Sequence, residues 1–331
     1  MKYAWLLLLF TPMPAQTQVR ALGQIVRLDQ ALDSLLDQNV PIEILAEGFH
    51  WSEGPVWIKD GAYLLFSDVP QNIIFRWKDS KGLSEFLKPS GYTGHGAYSH
   101  EPGSNGLTLS RDGQLIACEH GDRRVSIMPL SSGGKKTLAD NHKGKRFNSP
   151  NDVVQKSNGD IYFTDPPYGL PQKEKDTGRE TPVFGVYRVD QKGKTTLLID
   201  HLSRPNGLAF SPDEKMLYVA QSDPGNPVIF AFPVRTDGTT GKGRVFFDAA
   251  PLLQQGLKGL PDGLKVDHKG NLFATGPGGV LVISPAGKLL GRIDTTQPTA
   301  NCGWGDDGSV LYITANNYLC RVPTRTRGAR F

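Results

Sequence analysis

One phrase recurs six times along the chain, and it limits the possible folds more than any other feature. It reads SEGPVWIKDGAYLLFSD at 52–68, SNGLTLSRDGQLIACEH at 104–120 and PNDVVQKSNGDIYFTD at 150–165. It returns as PNGLAFSPDEKMLYVAQ at 205–221, PDGLKVDHKGNLFATG at 261–276 and NCGWGDDGSVLYITAN at 301–316. Each copy opens on an oxygen-bearing side chain: Glu53, Asn105, Asn151, Asn206, Asp262 or Asn301. A short apolar run, a polar turn and a second apolar run follow, as in an antiparallel hairpin. Successive starts lie 52, 46, 55, 56 and 39 residues apart. Further strand-like runs fall between the copies, such as IIFRW at 73–77, VFGVYRV at 183–189 and PVIFAFPV at 227–234. A period of about 40–55 residues with some four strands per unit is the pattern of a β-propeller. Six units laid flat would leave long sheet edges, and closing them into a ring removes most of these. The expected fold is therefore all-β, a six-bladed β-propeller over 41–331. The run PIEILAEGF at 41–49 would pair with the last blade and latch the ring.

Two segments precede the ring. Residues 1–20 combine Lys2, a short apolar core at 4–10 and small or proline residues near Ala15, the pattern of a signal peptide. Export to the periplasm or beyond is expected, and the apolar core is too short for a membrane span. Over 24–38, Ile25, Leu28, Leu32, Leu35 and Leu36 fall on one helical stripe, which predicts a short amphipathic helix within a 21–40 extension. The net charge of +4 is not gathered into any basic run, which gives no footing for nucleic acid. Cys302 and Cys320 bracket the last repeat and could pair, whereas Cys118 reads as a small buried residue.

Read singly, each start residue is a turn former. Most copies, however, already carry a hairpin turn some eight residues later (Asp60-Gly61, Asp112-Gly113, Asn158-Gly159, Asp307-Gly308). The start position always bears a side-chain oxygen, whereas the residues after it vary. Equivalent positions on the innermost strands of a propeller point at one axis. Six oxygens meeting there cost desolvation unless something satisfies them, and a cation would do so. Glu53 and Asp262 would neutralise a divalent ion, with Asn151 and Asn206 adding neutral oxygens. That donor set suits Ca2+, with Mg2+ or Zn2+ as alternatives.

The phrases SEGPVW, SPNDV followed by GDIYFTDPPYG, RPNGLAFSPD and PDGLKVD resemble the senescence marker protein/gluconolactonase/luciferin-regenerating enzyme family, in its bacterial gluconolactonase-like branch, over residues about 40–320. The resemblance implies a six-bladed propeller with a divalent metal on its axis that hydrolyses a small-molecule lactone. It implies that Glu53, Asn151, Asn206 and Asp262 form the metal and substrate shell, and that Asp262 is the proton donor and acceptor. Sugar-binding members carry an arginine two residues before the PND asparagine. Here that position is Ser149, and Arg146 is the candidate to replace it. Asn105, Asn151, His120 and Arg146 complete the expected substrate-binding set. The loops 91–106, with His95 and His100, and 166–182 are expected to shape the same pocket. Two other readings remain open: a calcium-stabilised binding propeller without catalysis, or a hydrolase of another ester or phosphotriester.

Overall fold

Hairpin signals become sheet here because each second apolar run is flanked on both sides by complementary strands. The computed structural model describes residues 19–131, 134–329 and 331, so the expected signal segment lies outside them except for Val19 and Arg20. Five four-stranded sheets and one five-stranded sheet follow one another along the chain. Their innermost strands are Ser52–Ile58, Ser104–Leu109, Val153–Gln155, Pro205–Phe210, Leu264–Val266 and Asn301–Gly305. Each inner strand packs against the inner strands of the blades on either side, and Asn301–Gly305 packs back onto Ser52–Ile58. The ring is therefore closed, a six-bladed β-propeller.

The expected latch is present. Glu43–Glu47 is the outer strand of the sixth blade, antiparallel to Tyr318–Pro323, with Glu43 opposite Arg321 and Ile44 opposite Cys320. The Arg321 guanidinium donates to Glu43 at 2.6 Å and to Asp79 of the first blade at 3.1 Å. The last blade is thus built from both ends of the described chain. Apolar side chains fill the spaces between neighbouring blades. Phe147, Phe163 and Tyr187, for instance, pack with Ile116, Cys118 and Val125 of the second blade.

The helix expected over 24–38 is not formed. Gln24–Arg27 is a fifth strand on the outer edge of the fifth blade, with Ile25 opposite Ile293. A single 3-10 turn, Gln30–Ser34, follows, and Asp29 caps it by accepting from the Ala31 N–H at 2.8 Å. Leu32, Leu35 and Leu36 are buried as the stripe required, but one turn is enough to bury them, and Leu28 is left exposed. Ile25 and Val26 are β-branched and meet a free sheet edge, so ladder hydrogen bonds outweigh helical periodicity. Elsewhere the one α-helix among the described residues is Ala250–Gln254. None is long and apolar enough to cross a membrane. Cys118, Cys302 and Cys320 are buried free thiols, so no disulfide joins the last repeat.

Removing residues 19–47 should open the sixth blade and expose two sheet edges. Thermal unfolding should lose its single cooperative transition, with aggregation on heating. An unchanged melting curve would show that the latch contributes nothing to closure.

Candidate active site on the propeller axis

Four of the six start residues are followed directly by glycine: Gly54, Gly106, Gly207 and Gly263. None of these is a hairpin turn. A Cβ on Gly106 would lie 2.7 Å from the Asn151 carbonyl oxygen and 2.5 Å from Asp152 Oδ1. On Gly263 it would lie 2.0 Å from the Asn301 side chain, and on Gly54, 2.2 Å from the Asn105 carbonyl. Gly207 meets the Asp262 carbonyl in the same way. Glycine therefore lets these four inner strands approach the start residue of the next blade, a distance no side chain allows. Direct bonds form at some of these approaches: Gly106 N–H donates to Asn151 O at 2.7 Å, and Gly263 N–H to Ala300 O at 2.8 Å.

In blades one, two and four the ladder breaks at this point. Pairing shifts between Glu53 and Val56, Ser104 and Leu107, and Pro205 and Leu208. Such bulges re-aim a side chain. The strand ends that lead into the site are clamped from the second strand. Asp68 accepts from the His50 and Trp51 N–H groups at 2.9 and 3.3 Å. Asp165 accepts from the Asn148 and Ser149 N–H groups, both at 2.8 Å. Gln221 Oε1 accepts from Ser203 N–H at 3.1 Å. These three residues were not among the candidates, although they recur 14 or 15 residues after their starts in FSD, FTD and VAQ.

Glu53, Asn105, Asn151, Asn206 and Asn301 are all buried, and Asp262 is half-buried. Glu53 Oε2 accepts from Gly54 N–H at 3.0 Å and from Asn301 Nδ2 at 3.2 Å. Asn206 Nδ2 donates to Ser222 Oγ at 2.9 Å, and Ser222 in turn donates to the Pro261 carbonyl. Asn105 Oδ1, Asn151 Oδ1, Asp152 Oδ2 and Asp262 Oδ1 are shielded from solvent and have no protein partner. The site thus presents hydrogen-bond acceptors whose donors must come from elsewhere.

Burial and like charge act together on the carboxyls. Burial first, and then the charge of Asp152, push the Glu53 pKa up to about 8. Burial, followed by the charges of Glu53, Asp152 and Glu101, holds Asp262 well above the usual carboxylate range. Burial also pushes His120 down to about 4, so the imidazole is neutral near pH 7.

The expected candidates divide into two groups. Glu53, Asn105, Asn151, Asn206 and Asp262 occupy the starts of successive inner strands, and His120 lies against Asn151 at 3.4 Å. Arg146 does not join them. It sits exposed on the hairpin Asn141–His142/Lys145–Arg146, where its N–H donates to Glu180 and its guanidinium to the Asp122 carbonyl. Ser149 is buried, and its hydroxyl donates to Pro166 O at 2.6 Å and accepts from Gly169 N–H at 3.0 Å. That position holds down the 166–182 loop. The loop carries Tyr168, whose shielded hydroxyl is held well above the usual phenol range by burial first and then by the charge of Asp262. From the 91–106 loop it is Glu101, not His95 or His100, that reaches the carboxyls, and both histidines are exposed.

The expected metal centre is corrected by this arrangement. Glu53, Asn151, Asn206 and Asp262 bring two carboxylates and two amides. Among the described residues no group of three or more His, Cys, Asp or Glu side chains is placed to hold a metal ion. The assignment of Ca2+, with Mg2+ or Zn2+ as alternatives, is withdrawn.

A closed propeller with a ring of oxygen-bearing side chains around its axis places this chain among propellers that work at the axis. Residues 51–317 match the SMP-30/Gluconolactonase/LRE-like region, and the chain belongs to that family. It is 42% identical over 312 residues to a gluconolactonase of Zymomonas mobilis subsp. mobilis, spanning 93% of this chain and 88% of that one. It is 26% identical to the pentonolactonase XacC of Haloferax volcanii, over 79% of this chain and 80% of the relative. The solved structure of a gluconolactonase from Xanthomonas campestris superposes with a TM-score of 0.81 at 32% identity, covering 94% of this chain and 98% of that one.

Two outcomes test the packing and charge of the ring. Gly106→Ala should destabilise the fold by about 2 kcal/mol or more, because backbone atoms cannot yield to the added methyl; an unchanged urea midpoint would rule out the close approach. The folded pKa of Glu53 lies above its unfolded value of 4.5, so its contribution is intact below that value and is lost as pH rises to about 8. Glu53→Gln should therefore gain stability relative to the parent between about pH 5 and pH 8, and a difference that is flat with pH would contradict the raised pKa.

Proposed function

We propose that this enzyme opens a hydroxyl-bearing lactone by general acid–base catalysis, with Asp262 moving the proton. The chain is a hydrolase of the gluconolactonase/lactonase type by family and by similarity along nearly its whole length. The observation that carries the mechanism is Asp262 itself, half-buried, with a shielded and unpartnered Oδ1 and a pKa raised by burial and by Glu53. A carboxyl whose pKa is raised is a stronger base once ionised, and it can return the proton it takes.

In the proposed step, ionised Asp262 takes a proton from water as the water oxygen attacks the acyl carbon. The bond between that carbon and the ring oxygen breaks, and Asp262 returns the proton to the ring oxygen. The net change is addition of one water, giving a hydroxy acid. Glu53, with Oε2 held by Gly54 and Asn301, sets how tightly Asp262 keeps its proton. The Tyr168 hydroxyl, shielded from solvent on the 166–182 loop, is a donor that could serve the carbonyl oxygen as negative charge grows there.

The acceptors Asn105 Oδ1 and Asn151 Oδ1 support a substrate rich in hydroxyl donors. A phosphotriester would bring only further acceptors to them and fits less well. The leader-like start of the chain supports action outside the cytoplasm.

Asp262→Asn keeps the shape but cannot accept the proton. On a panel of aldonolactones its kcat should fall by about 100- to 10,000-fold, with KM changed little. Retained turnover would remove Asp262 from the proton path. No hydrolysis of any lactone by the parent enzyme would remove the lactonase reading.

A further inference from the structure

We infer that His120 is a positioning residue, which fixes the Asn151 side-chain amide so that its oxygen, and not its NH2, faces the propeller axis. This assigns His120 a role through Asn151 and not as a group that grips substrate. Its benefit to turnover rests on the lactone reading above, but the geometry does not.

The imidazole is fully buried, and both of its nitrogens have defined neighbours. His120 Nδ1 lies 3.1 Å from the Glu101 carbonyl oxygen. A carbonyl can only accept, so Nδ1 carries the hydrogen and Nε2 is left with a lone pair. Nε2 lies 3.4 Å from Asn151 Nδ2. An amide NH2 is a donor, so this contact is favourable in one orientation of the amide only. Turned by half a rotation, Asn151 would set its oxygen against the imidazole lone pair. The orientation therefore follows from the carbonyl two groups away.

The neighbours leave little freedom to escape it. The Asn151 backbone is held on both sides, its N–H donating to Thr164 O at 2.9 Å and its carbonyl accepting from Gly106 N–H. On the far side of the ring, Gly169 presses on His120 so closely that a Cβ there would fall 2.4 Å from the His120 Cβ. Asn151 Oδ1 is thereby left shielded and without a protein partner. Asn206 follows the same rule independently, with its NH2 tied to Ser222 Oγ, which already donates to Pro261. In both cases the protein gives the amide NH2 an acceptor, and at Asn151 the oxygen is left without a protein partner.

Nitrogen-15 NMR of the histidine-labelled parent enzyme, with His120 assigned by the resonance missing from His120→Gln, reads the tautomer without reference to activity. His120 should show a protonated Nδ1 and a bare Nε2, and a protonated Nε2 near pH 7 would overturn the inference. Kinetics supply the second arm. His120→Phe fills the same space without an acceptor and should raise KM for an aldonolactone about tenfold while changing kcat less. The double variant His120→Phe/Asn151→Ala should then be no worse than Asn151→Ala alone, because His120 acts only through that amide. Additive losses would overturn the inference. If the parent cleaves no lactone, the lactonase reading fails by itself while the tautomer still decides this one.

Discussion

The inner strands of the six blades approach one another so closely that, at most of the contacts, no side chain fits between them. A Cβ on Gly54, Gly106, Gly207 or Gly263 would fall within 2.5 Å of an atom of the neighbouring blade. Because glycine occupies the second position, the first can turn toward the axis, and bulges in three blades complete the turn. Closure of the ring and delivery of Glu53, Asn105, Asn151, Asn206, Asp262 and Asn301 to one place are thus a single packing event. The latch Glu43–Glu47 and the Arg321 bonds to Glu43 and Asp79 hold the ends of that ring together.

Crowding oxygens at the axis determines the site's chemistry. Burial raises both Glu53 and Asp262, with the charge of Asp152 adding to it at Glu53 and the charges of Glu53, Asp152 and Glu101 adding to it at Asp262. Asn151 sets its NH2 against His120, and the side-chain oxygens of Asn105 and Asn151 are left without protein partners. Such a site is poor at holding a ligand that brings only acceptors and well suited to one that brings hydroxyls. The clamps from Asp68, Asp165 and Gln221 keep the strand ends from relaxing away from this arrangement.

Most of the fold was legible because the repeat carries it: six starts, the hairpin turns and the latch at 41–49 all stand where the sequence pattern puts them. The segment 24–38 was not, because Leu32, Leu35 and Leu36 satisfy a helical stripe with a single turn, and no local pattern reveals that a sheet edge waits for Ile25 and Val26. At the site, the start residues were legible as a set, but the glycines after them look like turn formers until the neighbouring blade is in view. The metal reading followed from counting oxygens. It did not survive because no group of three or more His, Cys, Asp or Glu side chains among the described residues is placed to hold a metal ion. Ser149 is buried and bonded to Pro166 and Gly169, and Arg146 lies on an exposed hairpin bonded to Glu180 and Asp122, partners that no local sequence pattern announces. The clamps at Asp68, Asp165 and Gln221 had a signal, an offset of 14 or 15 residues from three of the starts, that is visible once their role is known.

The most direct test compares an aldonolactone with a lactone of the same ring size that lacks hydroxyls. The kcat/KM of each is divided by its uncatalysed rate, so that intrinsic reactivity cancels. Each hydroxyl that leaves a buried acceptor unmatched costs about 1–3 kcal/mol, so the hydroxylated lactone should be favoured by about 100-fold or more. Equal ratios would contradict an acceptor-lined site that recognises its substrate by donated hydrogen bonds.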